Sequence, residues 1–141
     1  MYSVHDNGRE DRKYTLNCEK ISPNFVGKDT SSYPSVTSET NWDAPLEFNF
    51  KTSYSGFMVG MKSYHDNGRE DRRFKFFYAK IDTNNWELNN CKWNKMNDWD
   101  NKMDYKLTGD QVFAGIKSTH DNGREDREWH AYVCNLVHKR K

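Results

Sequence analysis

The chain has almost no excess charge of either sign: 22 Lys and Arg stand against 21 Asp and Glu, leaving +1 over 141 residues. It therefore lacks the overall field that would draw it onto nucleic acid or an anionic membrane, and electrostatic binding has to be local. Long apolar runs are missing as well. Hydrophobic residues make up 34%, and no run approaches the roughly 18 residues needed to cross a bilayer, so no membrane insertion is expected. Met1-Tyr2-Ser3-Val4-His5-Asp6 contains no apolar segment of the kind that marks a signal peptide. Cysteine is scarce. Cys18, Cys91 and Cys134 are odd in number and lack metal-ligand spacing, so buried thiols are expected rather than a disulfide framework. Aromatic residues are plentiful at 15%, including five Trp and eight Tyr, which fits a β-rich domain whose core uses few, large side chains.

One octapeptide, His-Asp-Asn-Gly-Arg-Glu-Asp-Arg, occurs three times unchanged, at 5–12, 65–72 and 120–127, each time after Ser and one variable residue. The flanks drift: Val4, Tyr64 and Thr119 precede the copies, and Lys13, Arg73 and Glu128 follow them. Recent duplication alone would have preserved the flanks too, so a constraint acts on the octapeptide itself. Three identical loops on one scaffold point to multivalent binding before catalysis.

After each octapeptide a period of two places Arg12 with Tyr14, Leu16 and Cys18, Arg72 with Phe74, Phe76 and Tyr78, and Arg127 with Trp129, Ala131 and Val133. Matching strands precede the second and third copies, with Gly60 and Gly115 in register. Two strands flanking Asn-Gly predict a β-hairpin, with the Asn-Gly pair taking positive φ at an exposed tip. Trp42-Asp43 and Trp99-Asp100 each open a further strand, the first carrying Leu46, Phe48 and Phe50, the second Met103, Tyr105 and Leu107. The segments 22–40 and 82–97 read as connecting loops, with Trp86 and Trp93 as lids over the core. The expected architecture is a single all-β domain over 1–141 with pseudo-threefold repeat units at about 1–20, 41–81 and 97–137. It is β-trefoil-like, with a β-prism or other closed β-sheet as the alternative, and its terminal strands pair to close the ring.

Asp-Arg-x-aromatic followed by Cys, in Asp11-Arg12-Lys13-Tyr14 with Cys18 and in Asp126-Arg127-Glu128-Trp129 with Cys134, resembles the signature of the dermatopontin family. The Trp-Asp elements and the Gly-x-Lys-Ser-x-His approach resemble that family's modules. The resemblance implies an extracellular, non-catalytic protein that binds glycans or proteoglycans, as matrix proteins and invertebrate haemagglutinins do. The family's paired cysteines are mostly missing: Lys51 stands near one expected position, and no Cys follows Asp71-Arg72-Arg73-Phe74.

The parity of Arg12, Arg72 and Arg127 with core aromatics assigns them to structure, paired with a carboxylate such as Asp43 or Asp100 or stacked on a ring. The rest of each loop converges donors and acceptors suited to sugar hydroxyls. The candidate carbohydrate-binding residues are therefore His5, Asp6, Asn7, Gly8, Arg9 and Glu10 in the first loop. The second loop supplies His65, Asp66, Asn67, Gly68, Arg69 and Glu70, with Tyr64 available for stacking. The third supplies His120, Asp121, Asn122, Gly123, Arg124 and Glu125. Asp6, Asn7, Glu10 and Asp11 also offer calcium-type oxygens, but without EF-hand alternation and with two opposing Arg, so no cofactor or metal is expected. Placement on separate hairpins argues against one His per loop meeting at a shared metal. No nucleophile elbow, triad or phosphate-binding glycine loop occurs, and no catalysis is expected. The alternative function is a matrix or cell-adhesion protein that binds a protein or proteoglycan, with the octapeptides structural.

Overall fold

The computed structural model describes residues 1–20 and 34–140. The class is all-β. The chain runs through β1 (Tyr2–Asp6), β2 (Asp11–Thr15), β3 (Ser35–Val36), β4 (Leu46–Asn49), α1 (Phe50–Tyr54), β5 (Gly56–Asp66), β6 (Asp71–Lys80), β7 (Trp86–Lys95), β8 (Met103–Asp104), β9 (Gln111–Asp121) and β10 (Asp126–His138). Among the described residues these strands form three open sheets, ordered β2-β1-β8, β4-β9-β10-β7 and β3-β6-β5. No helix here is long and apolar enough to cross a membrane.

Each octapeptide closes an antiparallel hairpin, with Asp6 opposite Asp11, Asp66 opposite Asp71 and Asp121 opposite Asp126. In the two long hairpins the register slips by one residue just before the paired glycines, between Met58 and Gly60 and between Phe113 and Gly115. Gly115 is required there, since a Cβ would sit 2.8 Å from the Phe48 carbonyl oxygen.

Several expectations are corrected. The first strand pairs with β8, not with the C-terminal strand, and the Met1 amino group donates to the Tyr105 carbonyl at 2.6 Å. The alternation through Phe50 breaks because the Asn49 side chain accepts from the Thr52 N–H and caps a helical turn. Much of 82–97 is a strand, β7, and Trp86 and Trp93 lie on it, packed against His138 and Tyr132. The predicted loop at 22–40 falls mostly outside the described residues. The thiol expectation also fails: Cys91 and Cys134, facing each other from β7 and β10, form a disulfide, and Cys18 is free and exposed.

The core follows from the same parity that placed the arginines. Tyr14, Phe74 and Trp129, each two residues after an octapeptide Arg, meet edge to face with ring centroids 5.0 to 5.7 Å apart. Burial pushes the Tyr14 phenol up, and its oxygen accepts from the Trp129 indole N–H. Phe50, Phe76 and Met103 extend this cluster, and a second one gathers Phe57, Leu88 and Leu136 beside the disulfide.

Candidate functional site

The three hairpin tips come together. Arg12 donates through Nε and Nη2 to Asp126 at 2.8 Å each. Arg72 makes the same two-point contact with Asp11 at 2.7 and 2.8 Å, and Arg127 with Asp71 at 2.9 and 2.8 Å. Every octapeptide thus gives its Arg to one neighbour and its Asp to the other, and the three bridges close a cycle. Planar forks of this kind are the strong form of ion pair because two charge-assisted bonds fix both partners. The arginines are structural, as their parity implied, but their carboxylates are not Asp43 or Asp100. Those residues contribute backbone N–H groups, Asp43 to Asp71 at 2.7 Å and Asp100 to Asp126 at 2.8 Å. Ser3 and Ser63, the residues before the repeat, accept from Arg12 and Arg72.

The ring is not uniform. The Arg12–Asp126 and Arg127–Asp71 side chains are at most 3% exposed, while Arg72 and Asp11 are 20% and 17% exposed. Asp43 approaches His120 in the third loop at 3.6 Å and Asp100 approaches His5 in the first at 3.5 Å, and no Trp-Asp carboxylate stands beside His65 in the second among the described residues.

Inside each loop the roles divide. Asp6, Asp66 and Asp121 turn back on their own backbone, with Oδ1 accepting from the N–H of Arg9, Arg69 and Arg124. Gly8, Gly68 and Gly123 lie so near this oxygen that a Cβ would approach it to 3.2–3.3 Å. The positive φ expected of Asn-Gly falls instead on Glu10, Glu70 and Glu125, at 50°, 50° and 48°. Four residues lie between the paired Asp positions, so the loop is longer than a two-residue turn and its last residue takes the left-handed conformation.

The His side chains sit under the loops. His5 and His120 are 1% exposed, and His65 is 13% exposed. Glu10, Glu70 and Glu125 line a small, open central depression with the Arg–Asp ring. Burial lifts the Glu125 carboxyl above its ordinary range, His120 draws it back, and Glu10, Asp43 and Glu70 push it up again. The carboxylates of the three loops therefore sense one another, and the expectation that separate hairpins keep their loops apart is corrected.

Asn7, Asn67 and Asn122, with Arg9, Arg69 and Arg124, are exposed and face outward. Arg69 lies over the Trp42 ring at 5.2 Å, and Tyr64 packs edge to face on the same ring. Arg124 lies over Trp99 at 5.6 Å. Trp42 and Trp99 were not among the sequence-predicted site residues. Their signal was present in the paired Trp-Asp elements, which place each tryptophan beside a loop tip.

A model of the dermatopontin family matches residues 1–138. The hemagglutinin/amebocyte aggregation factor of Limulus polyphemus is 38% identical over 136 residues, covering 95% of this chain and 74% of that protein. Millepora cytotoxin-1 of Millepora dichotoma is 29% identical over 132 residues, 94% of this chain and 55% of that protein. Dermatopontin of Biomphalaria glabrata is 29% identical over 133 residues, 94% and 83% of the two chains. No solved structure matches.

Proposed function

The chain belongs to the dermatopontin family, and from that premise we propose that it is a non-catalytic, multivalent glycan-binding protein of the agglutinin type. Its three octapeptide hairpins surround a pseudo-threefold, trefoil-like centre, and the sugar contacts lie on the outer rim. The carrying observation is the shelf that recurs at two loops: an exposed arginine laid on a half-buried tryptophan, beside an exposed Asn and an Asp. Such a shelf offers a pyranose an apolar face to stack on and fixed donors and acceptors for its hydroxyls. Asn67, Arg69, Trp42 and Tyr64 form the first shelf, and Asn122, Arg124 and Trp99 the second. Loop one brings Asn7 and Arg9 without a tryptophan and is the weakest of the three. The name of the Limulus relative supports an aggregating role, and the Cys91–Cys134 disulfide fits an oxidising, extracellular setting.

Shallow polar sites bind single sugars weakly. Several on one body bridge cells with an avidity gain of roughly two to four orders of magnitude when geometry permits. The test is a glycan array followed by agglutination of glycan-bearing cells. Discrete sugar hits are expected, and Trp42→Ala with Trp99→Ala abolishes agglutination while the fold is retained. An array that stays silent while the protein still aggregates cells overturns the glycan reading in favour of a protein partner.

A further inference from the structure

The loop ring carries more negative charge than its arginines neutralise. The three octapeptide Glu and the ring carboxylates Asp11, Asp71 and Asp126, with Asp43 and Asp100, face the guanidinium groups of Arg12, Arg72 and Arg127, in a chain whose overall charge is +1. Within this ring one donor set occurs twice. His5, Asp100 and Asp126 present ligand atoms that all lie within 4.8 Å of one another, and so do His120, Asp43 and Asp71. Each set takes His from one loop, one Asp from a Trp-Asp turn and the second Asp from the neighbouring loop.

The imidazoles provide the second observation. His5 Nε2 faces the Glu125 carbonyl oxygen at 3.1 Å and therefore carries the proton. Its Nδ1, buried and without a hydrogen-bond partner, is a bare lone pair 3.5 Å from Asp100 Oδ1. His120 does not repeat the arrangement, because Asp43 Oδ1 approaches Nδ1, at 3.6 Å, and that nitrogen is already committed. Nδ1 donates to Asn122 Oδ1 at 2.9 Å, leaving unpartnered Nε2 at 3.8 Å from both Asp71 Oδ1 and Glu125 Oε2. A buried lone pair aimed at a carboxylate is repulsive, and a cation between them turns the repulsion into two bonds. Histidines that bind metal commonly donate their other N–H to a carbonyl or carboxylate, and ligating carboxylates are themselves held by hydrogen bonds. For His5 the Glu125 carbonyl oxygen supplies the first feature, and for Asp126 the Arg12 fork supplies the second.

We propose that the His5, Asp100 and Asp126 cluster is a binding site for a divalent transition-metal ion of the zinc class, one ion per chain. One imidazole with two carboxylates suits zinc or manganese better than calcium, which prefers an all-oxygen shell. The second loop shares the His120 geometry and is assigned no site: His65 Nδ1 donates to Asn67 Oδ1 at 3.1 Å, its unpartnered Nε2 faces Asp11 at 3.9 Å and Glu70 at 3.8 Å, and no Trp-Asp carboxylate stands beside it among the described residues.

The experiment is calorimetric titration of metal-stripped protein with zinc chloride, repeated on Asp100→Asn and, as a control, on Asp43→Asn. Asp43 and Asp100 are 37% and 42% exposed at the side chain, and their left-handed backbone, φ 54° and 61°, suits Asn, so circular dichroism is expected to show an unchanged fold. One zinc ion per chain is expected for the wild type and for Asp43→Asn and none for Asp100→Asn, and cobalt substitution gives visible ligand-field absorption that is lost in parallel. Zinc binding that is absent, insensitive to Asp100→Asn, or equally sensitive to Asp43→Asn overturns the assignment. So does calcium binding in place of zinc, or ¹⁵N spectra showing His5 as doubly protonated imidazolium at neutral pH.

Discussion

Arg127→Ala tests the ring where it is driest. The substitution removes both bonds to Asp71 and a contact with the Ala44 carbonyl oxygen, and it strips the guanidinium from the face of Phe74, 5.5 Å away. Asp71, itself buried, keeps the Asp43 N–H but no cation in bonding contact. Removing one partner of a buried pair costs about 3–5 kcal/mol, because the survivor stays charged where water cannot reach it. The same change at Arg72 acts on a bridge that water already reaches, so its cost is about 1–2 kcal/mol. For a chain of this length, the first cost lowers the unfolding midpoint by roughly 10 °C or more and the second by about 5 °C. Arg127→Lys restores charge but not the fork, and recovers only part of the loss. Urea unfolding of the three variants and the wild type, with the disulfide intact, measures the ordering directly. A penalty at Arg72 equal to that at Arg127, or a penalty below about 1 kcal/mol at Arg127, refutes the claim that burial of the bridge sets its worth.

Three further outcomes follow from the geometry. Burial, followed by repulsion from Glu10, Asp43 and Glu70, raises Glu125 despite His120, so its charging costs stability as pH rises through the folded-state value; Glu125→Gln is expected to be more stable than wild type at pH 7, with the advantage vanishing in acid, as read by chemical unfolding at several pH values. Burial opposes ionisation of Asp126, but bonds from Arg12 and the Asp100 N–H hold its carboxyl below the ordinary range. Its contribution is therefore complete above about pH 4 and lost as pH falls through the folded value, and Asp126→Asn flattens the acid limb of the stability profile. The Cys91–Cys134 bridge spans 43 residues, so reducing it lowers stability by about 2–4 kcal/mol, and a thiol reagent titrates one cysteine, Cys18, in the native protein.

The hairpins were legible because period-two alternation on both sides of a turn is a local signal, and the inward parity of Arg12, Arg72 and Arg127 was legible for the same reason. Their partners were not, since Asp71 and Asp126 sit on other hairpins and only the tertiary meeting of the tips brings them within reach. The left-handed residue was misplaced because Asn-Gly is the stronger two-residue turn signal. Here the Asp6 carboxylate captures the N–H groups of Gly8 and Arg9, lengthens the turn and passes positive φ to Glu10. The disulfide was hidden because Cys91 lies in an Asn-rich stretch that reads as loop, and only the pairing of β7 with β10 puts it across from Cys134.

Because each tip hands its cation to one neighbour and its anion to the other, no tip is electrically complete alone, and no pair of tips is either. Two hairpins in contact leave one guanidinium and one carboxylate searching for a third, so partial assembly is penalised and the last arrival completes two bonds at once. This makes the hub an all-or-none latch that counts: three members satisfy it, while a fourth would have to break a bridge to enter. It also explains why the Asp-Arg pair stays fixed in copies that differ freely a few residues away. A substitution in one tip must suit two different partners, and identical tips are the simplest set in which every neighbour is acceptable to every other.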